Sequence, residues 1–292
     1  MAKIGFIGLG NMGLPMSTNL VKAGHAVTGF DVVPAAKAAA AEAGVKIVES
    51  AGEAASAQDI VVTMLPNGKL VLGVYPELLE AAAPGTLFIE SSTIDVASAR
   101  SAHELAAKAG MASLDAPVSG GVGGATAGTL AFMVGGTAEA FAQALPVLEK
   151  MGRKIVHCGD AGAGQAAKIC NNMILGISMI AVSEAFVLAE KLGLSKQALF
   201  DVASAASGQC WSLTTYCPVP GPVPTSPANN DYKPGFAAAL MLKDMLLSQE
   251  AAKTAGAHTA LGEHAAAIYQ EFANAGHGGV DFSGIINAIR EK

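Results

Sequence analysis

Along its first half the chain alternates short apolar runs with alanine-rich stretches of helical period. Lys3–Ile7, Ala26–Phe30, Val45–Val48, Ile60–Leu65, Thr86–Glu90, Leu130–Val134 and Ile155–His157 are rich in β-branched or aromatic residues and short, which predicts strands. Between them, Pro34–Ala43, Val96–Ala109 and Ala138–Met151 place apolar residues at helical spacing among good helix formers. Strands alternating with helices predict a parallel sheet covered on both faces, a doubly wound α/β fold. After Gly164 the alternation stops. Gln165–Leu192, Ser195–Ala206, Ala237–Ala255 and Ala260–Ala275 then read as helices, with a short helix near the C-terminus. The expected organisation is an α/β domain over residues 1–163 and an all-helical domain over 164–292, opening with a long helix that joins them. Cys217–Pro234 holds six prolines and cannot be helical; beside Trp211, Tyr216 and Tyr232 it reads as an ordered loop.

At 292 residues the chain exceeds what a single core usually serves, in keeping with two domains. A composition 51% hydrophobic and 14% charged implies apolar surface covered by further copies, so a homodimer or homotetramer is expected. The net charge of -6 comes without a basic stripe, which argues against nucleic acid and membrane surfaces as partners. The most apolar stretch, Met173–Val182, is bracketed by Asn171, Asn172, Ser183 and Glu184 and falls short of the ~20 residues of a membrane span; it reads as a buried helix. Lys3 and the run behind it lead straight into a turn, unlike a signal peptide. The four cysteines form no CxxC pair and have no clustered histidine, so no metal site is expected. Structural thiols in a cytoplasmic, reducing compartment fit that usage. His103, His258 and His264 are expected at the surface.

Candidate chemistry begins at the first strand, which runs into Gly8-Leu9-Gly10-Asn11-Met12-Gly13 and then a helix. A GxGxxG between strand and helix is the dinucleotide fingerprint of a Rossmann-type domain. Gly8 permits the tight turn, Gly10 lets the backbone approach a pyrophosphate, and Gly13 lets helix and strand pack closely. The helix N-terminus, with Asn11 and Met12 in the loop, faces the phosphates. Asp31, 18 residues after Gly13, stands at the end of the next strand, where a carboxylate accepts from both ribose hydroxyls. It also repels a 2′-phosphate, and Val32-Val33 offers no arginine to neutralise one, so NAD is expected over NADP. The glycine motif alone leaves a flavin dinucleotide open.

Ligands of such sheets bind beyond the carboxyl ends of the strands. There the sequence places Leu65-Pro66-Asn67 and, after the next strand, Ser91-Ser92-Thr93, along the expected cofactor path. Plain turn chemistry accounts for these residues equally well. Ser119-Gly120-Gly121 exposes successive N–H groups, a nest suited to a carboxylate. Lys168 lies about one turn into the joining helix, with Asn171 and Asn172 at i+3 and i+4. A lysine has an ordinary pKa near ~10.4, so serving as a base near neutrality requires burial or a neighbouring positive charge such as an oxidised nicotinamide. Lys243-Asp244 is either a local solvated pair or a charged pair reaching toward cofactor and substrate.

Four motifs in order, IGFIGLGNMGLPMSTNL, DAPVSGGVGGATAGTL, GAGQAAKICNNM and LMLKDM, resemble the β-hydroxyacid dehydrogenase family, and the resemblance covers essentially the whole chain. It implies an NAD-dependent oxidoreductase with Lys168 as catalytic acid/base and a small β-hydroxy acid as substrate. It further implies that Ser119, Gly120, Gly121 and Asn172 bind substrate, that Lys243 contacts cofactor or substrate, and that Phe236, ahead of its helix, joins Lys243 in the expected cofactor set. The segment SGQCWSLTTYCPVPGPVPTSPANNDYKPGF looks like the longer loop of members that oxidise 3-hydroxyisobutyrate to methylmalonate semialdehyde in valine breakdown. Trp211 and the prolines would then wall the substrate's methyl group. Reductases of tartronate semialdehyde or succinic semialdehyde, and a non-catalytic NAD-binding protein on the same scaffold, are the alternatives.

Overall fold

In the computed structural model, which describes residues 1–291, the first half builds one nine-stranded sheet. Its elements are β1 (Lys3–Ile7), α1 (Gly13–Lys22), β2 (Ala26–Phe30), α2 (Pro34–Glu42), β3 (Lys46–Ile47), α3 (Ala51–Ala55), β4 (Ile60–Thr63) and α4 (Gly68–Ala81). They continue with β5 (Leu87–Glu90), α5 (Val96–Lys108), β6 (Ser113–Asp115), β7 (Val118–Ser119), α6 (Gly121–Ala127), β8 (Leu130–Gly135), α7 (Ala138–Leu148) and β9 (Gly152–Gly159). The strand order is β3-β2-β1-β4-β5-β6-β8-β7, with β9 on β8. Pairing is parallel from β3 through β6; β8 runs antiparallel to β6 and β7, and β9 parallel to β8. The order reverses between β1 and β4, which opens the crevice in which doubly wound sheets bind ligands.

Alternation along the strands divides the core. Ile60 and Val62 of β4, with Leu87 and Ile89 of β5, join one buried cluster; Val61 and Phe88 join another on the opposite face. β4 is buried throughout, which is why it reads as a continuous apolar run. β6 and β7 escaped the sequence reading: they are three and two residues long, contain Ser113, Asp115 and Ser119, and offer no period to detect.

The chain divides into two compact units, Met1–Lys168 and the residues from Ile169 on, so the division falls inside α8 (Ala163–Lys191). Residue 163, expected as the end of the first domain, is where this helix begins; Lys292, the expected end of the second, lies outside the described residues. The second unit contains α9 (Lys196–Ala205), α10 (Trp211–Thr214), α11 (Ala238–Ala255), α12 (Ala260–Phe272) and α13 (Ile285–Glu291). By length and composition α8 could cross a membrane, contrary to the expectation from uninterrupted apolar residues, because the apolar residues on both sides of Ser183 and Glu184 keep its mean hydropathy high. Its Met179, Ile180, Val182 and Phe186 are buried in the second unit's two apolar clusters.

The proline-rich segment is ordered by side chains that do what a helix would otherwise do for its backbone. Ser226 Oγ donates to the Cys217 carbonyl, Asn229 Nδ2 to Val223 O, and Tyr232 OH to Pro218 O. Asp281, fully buried, ties the segment's end down: it accepts from Tyr216 OH at 2.9 Å, Gly235 N at 2.9 Å, Phe236 N at 3.1 Å and both Ser283 N and Ser283 Oγ. Asp281→Ala strands these donors and is expected to lower the unfolding free energy by roughly 3–5 kcal/mol, read by denaturant titration. A loss below 1 kcal/mol would show that water replaces the carboxylate.

Candidate active site

The glycine loop is built as the fingerprint demands. Gly8 has φ +93°, and a side chain on it would strike the Met64 carbonyl; one on Gly13 would strike the Gly8 carbonyl. A Cβ on exposed Gly10 would meet nothing within 4 Å, so bare backbone borders open space there. Met12 precedes α1 without a side-chain cap, leaving that helix start for an anion. Asn11 is exposed and Met12 half-buried. Asp31 directly follows β2; its carboxylate accepts from Leu9 N at 2.6 Å and Val33 N at 2.8 Å, which fixes it beside the loop. Val32 and Val33 are exposed. These features fit a dinucleotide: a glycine turn without obstruction, an uncapped helix start, and an oriented carboxylate at the ribose position.

Beyond β4 and β5 the two expected segments meet, since Leu65 N donates to Ser92 Oγ at 2.7 Å. Pro66 is exposed, and Asn67 is the N-cap of α4, its Oδ1 accepting from Leu70 N. Turn and cap chemistry therefore explains Asn67 without a ligand. Thr93 is half-buried on the same loop. Ser119 ends β7, and Gly120 and Gly121 open α6 with φ +131° and +60°. These left-handed conformations are those of a nest.

Lys168 is on α8 and is 5% exposed. Asn172, one turn on, is 1% exposed; its Nδ2 donates to Asp244 Oδ2 at 2.5 Å, and its Oδ1 accepts from Asn171 Nδ2 at 2.9 Å. Asp244 is 3% exposed and lies 3.7 Å from Lys243 Nζ. The solvated-pair reading of Lys243-Asp244 is thereby overturned for the aspartate, which turns inward to orient an asparagine. Trp211 is 49% exposed and stacks on Tyr216 at 4.9 Å; Tyr216 stacks on Phe282, and Phe236 meets Phe282 edge-on at 5.8 Å. Trp211 and Phe236 are thus the two ends of one aromatic row.

Residues 3–159 match the NAD-binding domain of 6-phosphogluconate dehydrogenase, and residues 162–289 the NAD-binding family of NADP-dependent 3-hydroxyisobutyrate dehydrogenase. A probable 3-hydroxyisobutyrate dehydrogenase of Mycobacterium tuberculosis is 59% identical over 292 residues, 100% of this chain and 99% of that one. The chain belongs to the 3-hydroxyisobutyrate dehydrogenase family. It is an NAD-dependent oxidoreductase. The solved structure of Mycobacterium tuberculosis 3-hydroxyisobutyrate dehydrogenase with L-serine superposes at a TM-score of 0.97 with 60% identity, covering 99% of each chain. An NAD-dependent L-serine dehydrogenase of Pseudomonas aeruginosa is 46% identical over 286 residues, 97% of this chain and 96% of that one. The NADP in the second family's description attaches to the helical half, whereas Asp31, the residue expected at the ribose, lies in the first.

Sequence reasoning passed over a buried polar cluster at the ends of β5 and β6. Asp115, 1% exposed, accepts from Gly162 N and Gln165 N, both at 2.8 Å, and from His103 Nε2 at 2.9 Å. His103 was expected at the surface; instead its ring is 13% exposed and its Nδ1 accepts from Ser113 Oγ, leaving Nε2 to donate. The available signal was Asp115 opening the DAPVSGG motif directly after an apolar position, a poor place for a solvated acid. Glu90 accepts from Ser92 N at 2.7 Å and from Gln165 Nε2 at 3.3 Å. Burial pushes its carboxyl up to about 8, with Asp115 adding to the rise against the Ser92 bonds. Folded Glu90 thus holds a proton that the unfolded chain, titrating near 4.5, releases. Stability should fall as pH rises from the unfolded pKa to the folded one, by about 1.4 kcal/mol per pH unit, and then level. Glu90→Gln is expected to remove most of that slope in pH-dependent unfolding; an unchanged slope would place the proton elsewhere.

Proposed function

We propose that this protein oxidises 3-hydroxyisobutyrate to methylmalonate semialdehyde, with Lys168 as acid/base. The observation that carries the reading is the buried amine of Lys168, one helical turn from an asparagine oriented by a buried aspartate. Bound along the glycine loop and Asp31, NAD would supply the hydride acceptor for oxidation of the carbinol carbon. Lys168 takes the hydroxyl proton as the C=O bond forms, and returns it in the reverse direction. The substrate carboxylate docks on Ser119 Oγ and the N–H groups of Gly120 and Gly121. Asn172 Nδ2 directs its second proton to the substrate, the first being held by Asp244. Gly8, Gly10, Asn11, Met12, Gly13, Asp31, Leu65, Pro66, Asn67, Thr93, Phe236 and Lys243 form the cofactor set of this reading. Within it, the Asn67 backbone rather than its capping side chain faces the ligand.

L-serine is the second reading, favoured by the 46% identical serine dehydrogenase and by the L-serine in the solved homologue. The two substrates share a carboxylate and a primary alcohol and differ by methyl against ammonium. The aromatic row ending in Trp211 favours the methyl, since an ammonium there would lack hydrogen-bond partners. Exposed Ile174, Leu188, Leu192, Val202, Leu246 and Leu261 on the second unit support a homo-oligomer, and four free cysteines support a reducing, cytoplasmic setting.

NADH formation across a panel of 3-hydroxyisobutyrate, L-serine and reduced tartronate and succinate semialdehydes tests the assignment. The methyl-bearing acid should lead L-serine in kcat/KM by roughly tenfold or more; parity or reversal would transfer the assignment to serine. In the same assay Lys168→Ala should lose about 10²–10⁴ in kcat while NAD binding persists, and near-normal turnover would remove the lysine from the chemistry. Asp31→Asn is expected to reduce the NAD-over-NADP preference by roughly tenfold, or about 1.4 kcal/mol. An unaltered ratio of kcat/KM values would deny it the ribose role.

A further inference from the structure

Gln165 is fully buried at the third position of α8, and its amide is used on three sides. Nε2 donates to the Ser92 carbonyl at 2.7 Å and to Glu90 Oε2 at 3.3 Å, while Oε1 accepts from Ile94 N at 3.2 Å. The side chain thus pairs with the peptides on both sides of Thr93, as a neighbouring strand would. A reversed amide would face N–H to N–H at Ile94, so the network fixes its orientation. Gln165, Lys168 and Asn172 follow one another at i, i+3 and i+7, one stripe of one helix.

We propose that Gln165 is a positioning residue for proton transfer, holding Lys168 in register with the loop that carries Thr93 by bridging the peptides on either side of it. This rests on the reading of Lys168 as proton acceptor.

The helix has little other freedom at this end. Asp115 takes the N–H groups of Gly162 and Gln165, and Gly164 packs so tightly that a Cβ would collide with the Met133 carbonyl. Sliding along the helix axis is therefore blocked. The Gln165 amide adds a tie from this helix to the loop on both sides of Thr93, and that tie restrains rotation about the axis. Side-chain tips lie about 6 Å from a helix axis, so a turn of roughly 10° displaces one by about 1 Å. Displacements of about 1 Å at a reacting group can cost roughly a hundredfold in rate. Glu90, kept protonated near neutrality by its burial, receives the second amide proton without adding a charge beside Asp115.

The test uses the full chain with Gln165→Met, which keeps the volume and deletes the bonds, and Gln165→Asn, which keeps the amide but is one methylene too short to bridge. Lys168→Ala serves as reference. Thermal midpoint, NAD affinity by calorimetry, kcat, KM and the pH profile of kcat/KM are measured for each. The expected result for each folded Gln165 variant is a kcat loss of roughly ten- to hundredfold with a much smaller change in KM and NAD affinity. The pH profile should also move, because the amine's surroundings change with its position. A lowered thermal midpoint with kcat within about twofold of the parent and an unmoved profile would make Gln165 merely structural and overturn the proposal. If Gln165→Met does not fold, Gln165→Asn decides by the same criteria. Turnover surviving in Lys168→Ala would instead sink the assignment of the lysine, a failure distinct from that of its positioning.

Discussion

A helix that starts against a buried sheet edge must find acceptors for N–H groups with no partner in their own helix. In this protein Asp115 supplies two of those acceptors and the helix concerned carries the lysine. A carboxylate at a helix start is doubly favoured, by hydrogen bonds and by the positive end of the helix dipole. The arrangement makes placement of Lys168 a property of the sheet. Asp115 ends β6, and its own position is set by pairing with β5 and β8. Ser113, His103 and Asp115 then form a short chain of bonds that orients the carboxylate from behind.

Carboxylates elsewhere follow one logic, in which an acid wholly or partly withdrawn from water is bonded to donors that fix a neighbouring group. Asp31 holds Leu9 of the glycine loop, Asp244 holds the amide of Asn172, and Asp281 holds Gly235, Phe236 and the Tyr216 phenol. Burial and the nearby Asp281 carboxylate raise the Tyr216 phenol above its ordinary range, so it stays a donor. Glu90, fully buried and with the Asp115 charge adding to the rise, answers burial by keeping its proton. These carboxyl groups sit at strand ends, loops and helix faces where chemistry is proposed.

Periodicity made the α/β half legible because burial imposes it directly: a strand covered on both faces must be apolar throughout, and an amphipathic helix must repeat near 3.6 residues. β1 and β2 match their expected bounds, and the expected helix ends lie within a few residues of the observed ones. The glycine motif was legible for the same kind of reason, since Gly8 and Gly13 are places where any side chain would collide. Short strands such as β7 left no trace, because two residues carry no period.

What the sequence determined alone is the set of local constraints: alternating strands and helices, the glycine turn, Asp31 following β2, and a lysine with two asparagines on one helix. Only the tertiary structure decided which buried groups meet. Gln165 and Ser92 are far apart along the chain, as are Asn172 and Asp244. Glutamine and aspartate look solvated when read residue by residue, and only folding reveals whether the donors and acceptors that make their burial affordable have been brought to them.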